Sequence, residues 1–204
     1  MRREASLFGD FGGAAPRARL DGRSLLLIPR ELEPSIAARL DAANLPAPVR
    51  IRVTGDAATL PCAVADAAAS FRLEPSLADW LADDILALAR LYRETTRATR
   101  LVVRIETVID DACRLFHTDN VRFRLATTYR GPGTQWLDPT DAAPRPDAET
   151  RPINEMARGA IAIMRGGRAA TSEAPALPHR SPPIDGTGVT RLFVAIDEAI
   201  ERAG

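Results

Sequence analysis

Near residue 100 the spacing of apolar residues changes from a period of about 3.6 to a period of about 2, and no other feature of the 204-residue chain constrains its fold as strongly. Before that point Leu77, Trp80, Leu81, Ile85, Leu88, Leu91 and Tyr92 recur three and four residues apart. This predicts a helix over Ser76 to Thr96, with one apolar stripe to bury against a sheet. After it, LVVRIETVI (101–109), VRFRLATTY (121–129), AIAIM (160–164) and TRLFVAI (190–196) predict strands, with turn signals at 130–133, 165–168 and 185–188. Upstream, Ser24 to Ile28 is a short apolar run ended by Pro29, Glu31 to Ala43 reads as a short helix beginning near Pro34, and Val49 to Thr54 alternates as a strand.

The expected architecture is α+β and a single domain overall. It comprises a flexible tail over residues 1–22, a helical and mixed N-terminal layer over 23–99, and a metal-binding β-barrel core over 100–204. A Pro-, Asp- and Ala-rich stretch from Asp138 to Pro152 is too long for an ordinary hairpin loop and is expected beside the barrel mouth.

Charge narrows the function. Twenty-seven basic and 27 acidic residues cancel, so the chain lacks the electrostatic footprint of a nucleic-acid or acidic-membrane binder, and a small-molecule or metal site is expected. No apolar run approaches the roughly 20 residues that cross a bilayer, and the first residues lack the apolar stretch of a signal peptide. A cytoplasmic protein is the expectation. Cys62 and Cys113 form no CxxC pair, which indicates neither a disulfide framework nor a zinc ribbon.

The chain has two histidines, and both stand in segments of unusual composition, FHTDN (116–120) and PHRSPP (178–183). Residues i and i+2 of a strand share a face, so His117 and Asp119 can present an imidazole and a carboxylate to one point. His179, 60 residues beyond Asp119, has enough chain between to return on a neighbouring strand. Two neutral imidazoles and one carboxylate leave the opposite coordination positions open, as in non-haem Fe(II) oxygenases, whereas a structural zinc site is closed by four ligands, often with Cys. Cys113 is the nearby thiol, and it reads either as a pocket residue or as a small buried hydrophobe.

Arg191 lies 12 residues after His179, and alternation puts it with Phe193 and Ala195 on one face of an apolar strand. An inward guanidinium needs a partner. It suits bidentate grip of a carboxylate, whether from a dicarboxylic co-substrate that chelates the metal at its other end or from a protein side chain at the rim. Arg122, Arg124, Arg130 and Arg180 near the expected mouth favour an anionic substrate or form a solvated face, and Trp136 either lines the pocket or belongs to the core.

The strings FHTDNVRFRLATTYRGPGTQWL (116–137) and HRSPPIDGTGVTRLFVAID (179–197) resemble those of the bacterial family known as domain of unknown function 1826, over about residues 75 to 198. More distantly, the order His117-Thr-Asp119, Thr127-Thr-Tyr129, Gly131-Pro-Gly-Thr-Gln-Trp136, Gly159 to Met164, His179 and Arg191 resembles the prolyl-4-hydroxylase-like branch of the Fe(II)/2-oxoglutarate dioxygenases. That resemblance implies a double-stranded β-helix, the jelly-roll or cupin-like barrel. It further implies Fe(II) on His117, Asp119 and His179, the distal carboxylate of 2-oxoglutarate on Arg191, and Tyr129 touching the same co-substrate. Thr127 falls in the same motif and is a possible pocket residue.

Two readings remain open from the sequence. One is an Fe(II)/2-oxoglutarate dioxygenase acting on a small-molecule substrate. The other is a cupin-like protein that binds Zn(II) or another metal, linked to metal homeostasis, with no 2-oxoglutarate chemistry.

Overall fold

The computed structural model describes residues 20–139 and 152–199. Most of the expected tail and most of the 138–152 loop lie outside the described residues. In chain order the elements are β1 (Leu25–Ile28), α1 (Pro34–Ala42), β2 (Val49–Gly55), α2 (Leu60–Ala69), α3 (Pro75–Thr96), β3 (Leu101–Val108), β4 (Phe123–Arg130), β5 (Gln135–Trp136), β6 (Asn154–Glu155), β7 (Ile161–Arg165), β8 (His179–Arg180) and β9 (Arg191–Glu198). Six strands form one antiparallel sheet in the order β1-β7-β4-β9-β3-β2, and β6-β5-β8 form a smaller sheet. Mixed helix and antiparallel sheet are as the periodicity predicts.

The large sheet has two chemically different faces because its strands alternate. Leu101, Val103 and Ile105 of β3, Leu125 and Tyr129 of β4, Ile161 and Ile163 of β7, and Leu192, Val194 and Ile196 of β9 share one core with the buried stripes of all three helices. The opposite face carries Arg104, Glu106, Arg124, Ala126, Thr128, Ala162, Met164, Arg191, Phe193, Ala195 and Asp197, and it is the face that meets the candidate site. Sealing one face with helices leaves the other free to be polar.

Helix α3 supplies most of that seal. Pro75 occupies its first turn, the Glu74 carboxylate accepts from the Ser76 N–H at 3.1 Å, and Arg97 ends it in the left-handed conformation at φ 62°. Its Tyr92 is buried, and the hydroxyl donates to the Phe123 carbonyl at 2.8 Å, tying the helix to the start of β4. Trp80 packs at the edge of the same core, edge-on to Tyr129.

The sequence periodicity gave no helix over Leu60–Ala69. Apart from Leu60 and Val64 the buried positions there are Ala67 and Ala68, too small to make an apolar stripe, and the helix rests instead on alanine propensity and its start. The Asp56 carboxylate accepts from the N–H groups of Ala58 and Thr59, both at 3.0 Å, just before it. Strands β5, β6 and β8 are two residues each, too short to show alternation.

One polar cluster is sealed inside the core. Arg30 donates twice to the Asp84 carboxylate of α3, at 2.7 and 2.9 Å, and the Tyr129 hydroxyl donates to the same carboxylate at 2.5 Å. Asp84→Ala leaves Arg30 without its partner and is expected to lower unfolding free energy by about 3–5 kcal/mol. Tyr129→Phe removes one bond to a charged acceptor, for about 1.5–3 kcal/mol. Urea denaturation measures both, and a smaller effect for Asp84→Ala than for Tyr129→Phe would contradict this account.

Candidate metal centre

His117, outside the regular strands, faces His179 of β8 across a single antiparallel bridge. The His117 N–H donates to the His179 carbonyl at 3.0 Å and the His179 N–H to the His117 carbonyl at 2.9 Å. The pair is thus fixed by backbone before any metal binds. The expectation that His117 and Asp119 share a face treats them as extended chain, ahead of the strand expected from Val121. The strand begins at Phe123, and His117 and Asp119 sit in an irregular approach to it.

Each imidazole is also fixed in rotation. Nδ1 of His117 lies 3.0 Å from the Leu115 carbonyl and Nδ1 of His179 lies 3.0 Å from the Leu177 carbonyl, so each Nδ1 carries a proton and each Nε2 is the nitrogen turned to the site. A backbone acceptor on the far nitrogen is the usual support of a metal-ligating histidine. Both Nε2 atoms turn toward Asp119, at 3.8 Å from Oδ1 for His117 and 3.1 Å from Oδ2 for His179, and one ligand atom from each residue lies within 4.8 Å of the others.

Asp119 is held from behind. Its Oδ2 pairs with Arg124, which donates through Nε and a terminal nitrogen to Asp197 at 2.7 and 2.8 Å. Burial alone would raise the Asp119 pKa. The contact with the His179 ring, and then the charge of Arg124, outweigh it and hold the carboxyl at about 2, below the ordinary 3.8. The backbone is fixed as well, by a 2.8 Å bond from the Gly167 N–H to the Asp119 carbonyl. A Cβ at Gly166 would collide with the Val121 carbonyl and reach 2.9 Å from the Asp119 carbonyl, so only glycine lets this turn lie against the ligand segment.

Arg191 is buried on the same sheet face. It stacks on Phe193, and its Nε donates to the Pro132 carbonyl at 2.9 Å. A terminal nitrogen donates to the hydroxyls of Thr128 and Thr134, at 3.0 and 2.9 Å. Among the described residues no carboxylate forms an ion pair with it. Burial lowers its pKa to about 10, a range in which it stays charged at neutral pH. The expected alternative of a protein carboxylate at the rim is therefore not what these residues supply.

The small sheet joins the two ends of the site. Trp136 of β5 is opposite His179 of β8, and Thr134, two residues earlier, touches Arg191. Two residues of extended chain span about 7 Å. The Trp136 indole Nε1 is buried and has no hydrogen-bond partner among the described residues.

Other residues fall elsewhere. Tyr129 faces the helix-side core, with its hydroxyl on Asp84, so it does not join the metal centre or Arg191. Thr127 shares that face, and its hydroxyl reaches the Gly159 carbonyl at 3.5 Å. Alternation along β4 is the reason: Thr128, between them, is the inward residue. Arg180 points to the outer side of the small sheet, donating to Gln135 at 2.9 Å and lying over Phe116. Cys113 is exposed, not a buried hydrophobe. Arg122 pairs with Glu198, and Arg130 donates to the Ala43 carbonyl of the helical side. The sequence reading gave no role to Asp197, Thr128, Thr134 or Gly166. Asp197 and Thr128 were findable by the argument used for Arg191, as polar residues at inward positions of apolar strands.

A rice dioxygenase for auxin oxidation is similar at TM-score 0.55 and 13% identity, covering 91% of this chain and 76% of that one. Dioxygenase for auxin oxidation 1 from Arabidopsis thaliana, solved as a binary complex with 2-oxoglutarate, is similar at 0.55 and 12%, covering 93% and 88%. A Pseudomonas putida prolyl-4-hydroxylase is similar at 0.50 and 10%, covering 91% and 99%. At these identities the likeness shows the fold that such oxygenases share. The chain itself belongs to the family described as "Protein of unknown function (DUF1826)", which matches residues 16–197. No curated protein matches the sequence. No helix among the described residues is long and apolar enough to cross a membrane.

Two outcomes follow for the metal-free protein. Gly166→Ala should weaken metal binding on the order of tenfold or more by displacing the Asp119 segment, with a smaller effect from Gly167→Ala, whose Cβ meets Asp119 at 3.6 Å. Because the Asp119 pKa is depressed on folding, its contribution to stability is complete above the ordinary 3.8 and is lost as pH falls toward about 2. Denaturation at a series of pH values should show that loss in the wild type and not in Asp119→Asn.

Proposed function

We propose that this protein is a non-haem Fe(II)- and 2-oxoglutarate-dependent dioxygenase of the hydroxylase type, acting on a small-molecule substrate. The observation that carries the reading is the pairing of two imidazoles, each fixed through Nδ1 with Nε2 turned to the site, with a carboxylate whose buried Oδ2 has ion pairs and no well-aligned hydrogen bond. That donor set fits an ion bound on one side with open positions on the other. His117, Asp119 and His179 would hold it. When bound, Fe(II) with 2-oxoglutarate would supply reduction of dioxygen, with one oxygen atom entering the succinate left after the keto acid loses carbon dioxide and the other entering a C–H bond of the substrate as a hydroxyl group.

The remaining residues bind and orient. Arg191 receives the far carboxylate of the co-substrate. The Thr128 and Thr134 hydroxyls already accept from its guanidinium, so each keeps its own O–H to donate to the same anion. The Trp136 N–H, buried without a hydrogen-bond partner among the described residues and on the strand paired with His179, is a further donor for a bound anion. The likeness to a dioxygenase solved with 2-oxoglutarate supports the fold required. We place the helical part at residues 23–99 and the barrel core at 100–204, with the two sheets as the walls of a double-stranded β-helix.

One observation favours the second reading, a cupin-like zinc or other metal-binding protein. Arg191 makes three hydrogen bonds to neutral acceptors without any ligand, which is enough for a structural role. Calorimetry separates the two. The metal-loaded wild type should bind 2-oxoglutarate, and Arg191→Met should keep the metal while losing co-substrate affinity by about tenfold or more, the size of a charge-assisted contact. His117→Ala and His179→Ala should each lose the metal. Unchanged 2-oxoglutarate affinity in Arg191→Met, or none in the wild type, would favour the second reading.

A further inference from the structure

Three charged side chains at the metal end of the large sheet form a chain, Asp119 to Arg124 to Asp197, and they are only 12%, 14% and 10% exposed. Arg124 of β4 stands directly opposite Asp197 of β9 in the strand register. Its Nε and one terminal nitrogen grip that carboxylate at 2.7 and 2.8 Å, a fork that fixes the guanidinium plane. The remaining nitrogen meets Asp119 Oδ2. Taking such charges out of water costs several kcal/mol per ion, and apolar replacements of similar volume are often as stable. Stability alone does not account for the pair.

Its consequence falls on the two oxygens of Asp119. Oδ2 is buried and engaged by Arg124, with His179 Nε2 at 3.1 Å. Oδ1 accepts no hydrogen bond among the described residues and has His117 Nε2 at 3.8 Å. A carboxylate that is free to rotate binds a divalent ion through one oxygen or through both. One whose Oδ2 is pinned by a guanidinium, itself fixed by a third residue, offers the ion a single oxygen. The difference is one coordination position. Two imidazoles and one oxygen leave three positions of an octahedral ion open, and a second carboxylate oxygen would leave two. A chelating keto acid takes two, so dioxygen needs the third.

We propose that Arg124 is a positioning residue which, fixed by Asp197, restricts Asp119 to coordination through one oxygen and so keeps a third position of the bound ion open for dioxygen. The use made of that position rests on the oxygenase reading, whereas the number of open positions does not depend on 2-oxoglutarate.

The full chain loaded with Mn(II) and read by water-proton relaxation counts the exchangeable waters on the ion without any turnover. The wild type should carry about three, and about one after 2-oxoglutarate is added. Arg124→Met should carry about two, and none after 2-oxoglutarate. Its Mn(II) affinity should be kept or raised, because a neighbouring cation has been removed and an oxygen freed. Arg122→Gln, which alters an exposed arginine paired with Glu198, should match the wild type. Arg124→Met leaves Asp197 buried without its fork, so the double variant Arg124→Met/Asp197→Leu, which removes both charges of the pair, repeats the measurement if the single variant fails to fold. A count of three waters in either folded variant, or a loss of Mn(II) affinity on the order of tenfold or more, would overturn the proposal. The second of these results would leave Arg124 a structural support only. Failure of the oxygenase reading would look different: the counts without 2-oxoglutarate would still separate the wild type from Arg124→Met, while the wild type would keep all its waters when 2-oxoglutarate is added.

Discussion

Strands β4 and β9 carry two chemistries on alternate residues, and the rest of the molecule is arranged around keeping these apart. Leu125, Tyr129, Leu192, Val194 and Ile196 need burial, and helices α1 to α3 provide it. Arg124, Thr128, Arg191 and Asp197 then face the other way, between the large sheet and the small one. A slip of one residue in register would exchange the two sets, placing four polar residues in the apolar core. The long β3–β9 and β4–β9 pairings, fixed by the apolar face, therefore also position the site.

The second constraint is electrostatic. Asp119 is attached to the large sheet through Arg124 and Asp197, and His179 to the small sheet through its pairing with Trp136. The bridge between His117 and His179 closes the gap between these supports. Each candidate ligand is held by backbone or charge from a different direction, so the donor set does not depend on the ion to assemble it. A charge chain through Arg124, Asp197 and Arg104 continues from the metal end toward the open edge at β2.

Much of this was legible in the sequence. The change of period near residue 100 separated helices from strands, the scarcity of histidine pointed to His117 and His179, and alternation put Arg191 on the inward face. What was not legible has physical reasons. Helix α2 buries alanines, which leave no stripe, and the two-residue strands of the small sheet have no period to detect. Tyr129 lies in a string that resembles an oxygenase motif, yet its parity on β4 sends it to Asp84, while Thr128 takes the inward place. The support given by Gly166 depends on contact with a segment more than 40 residues away in sequence, which no local pattern encodes.

The central claim is that His117, Asp119 and His179 hold a metal with open positions that a keto acid can occupy, anchored at Arg191. Anaerobic titration of Fe(II), followed by 2-oxoglutarate, read by visible absorption, tests it most directly. The account predicts a charge-transfer band that appears only when both are present, saturates at one equivalent of each, and is absent in His179→Ala. Iron bound at one equivalent with no band on adding 2-oxoglutarate would contradict it.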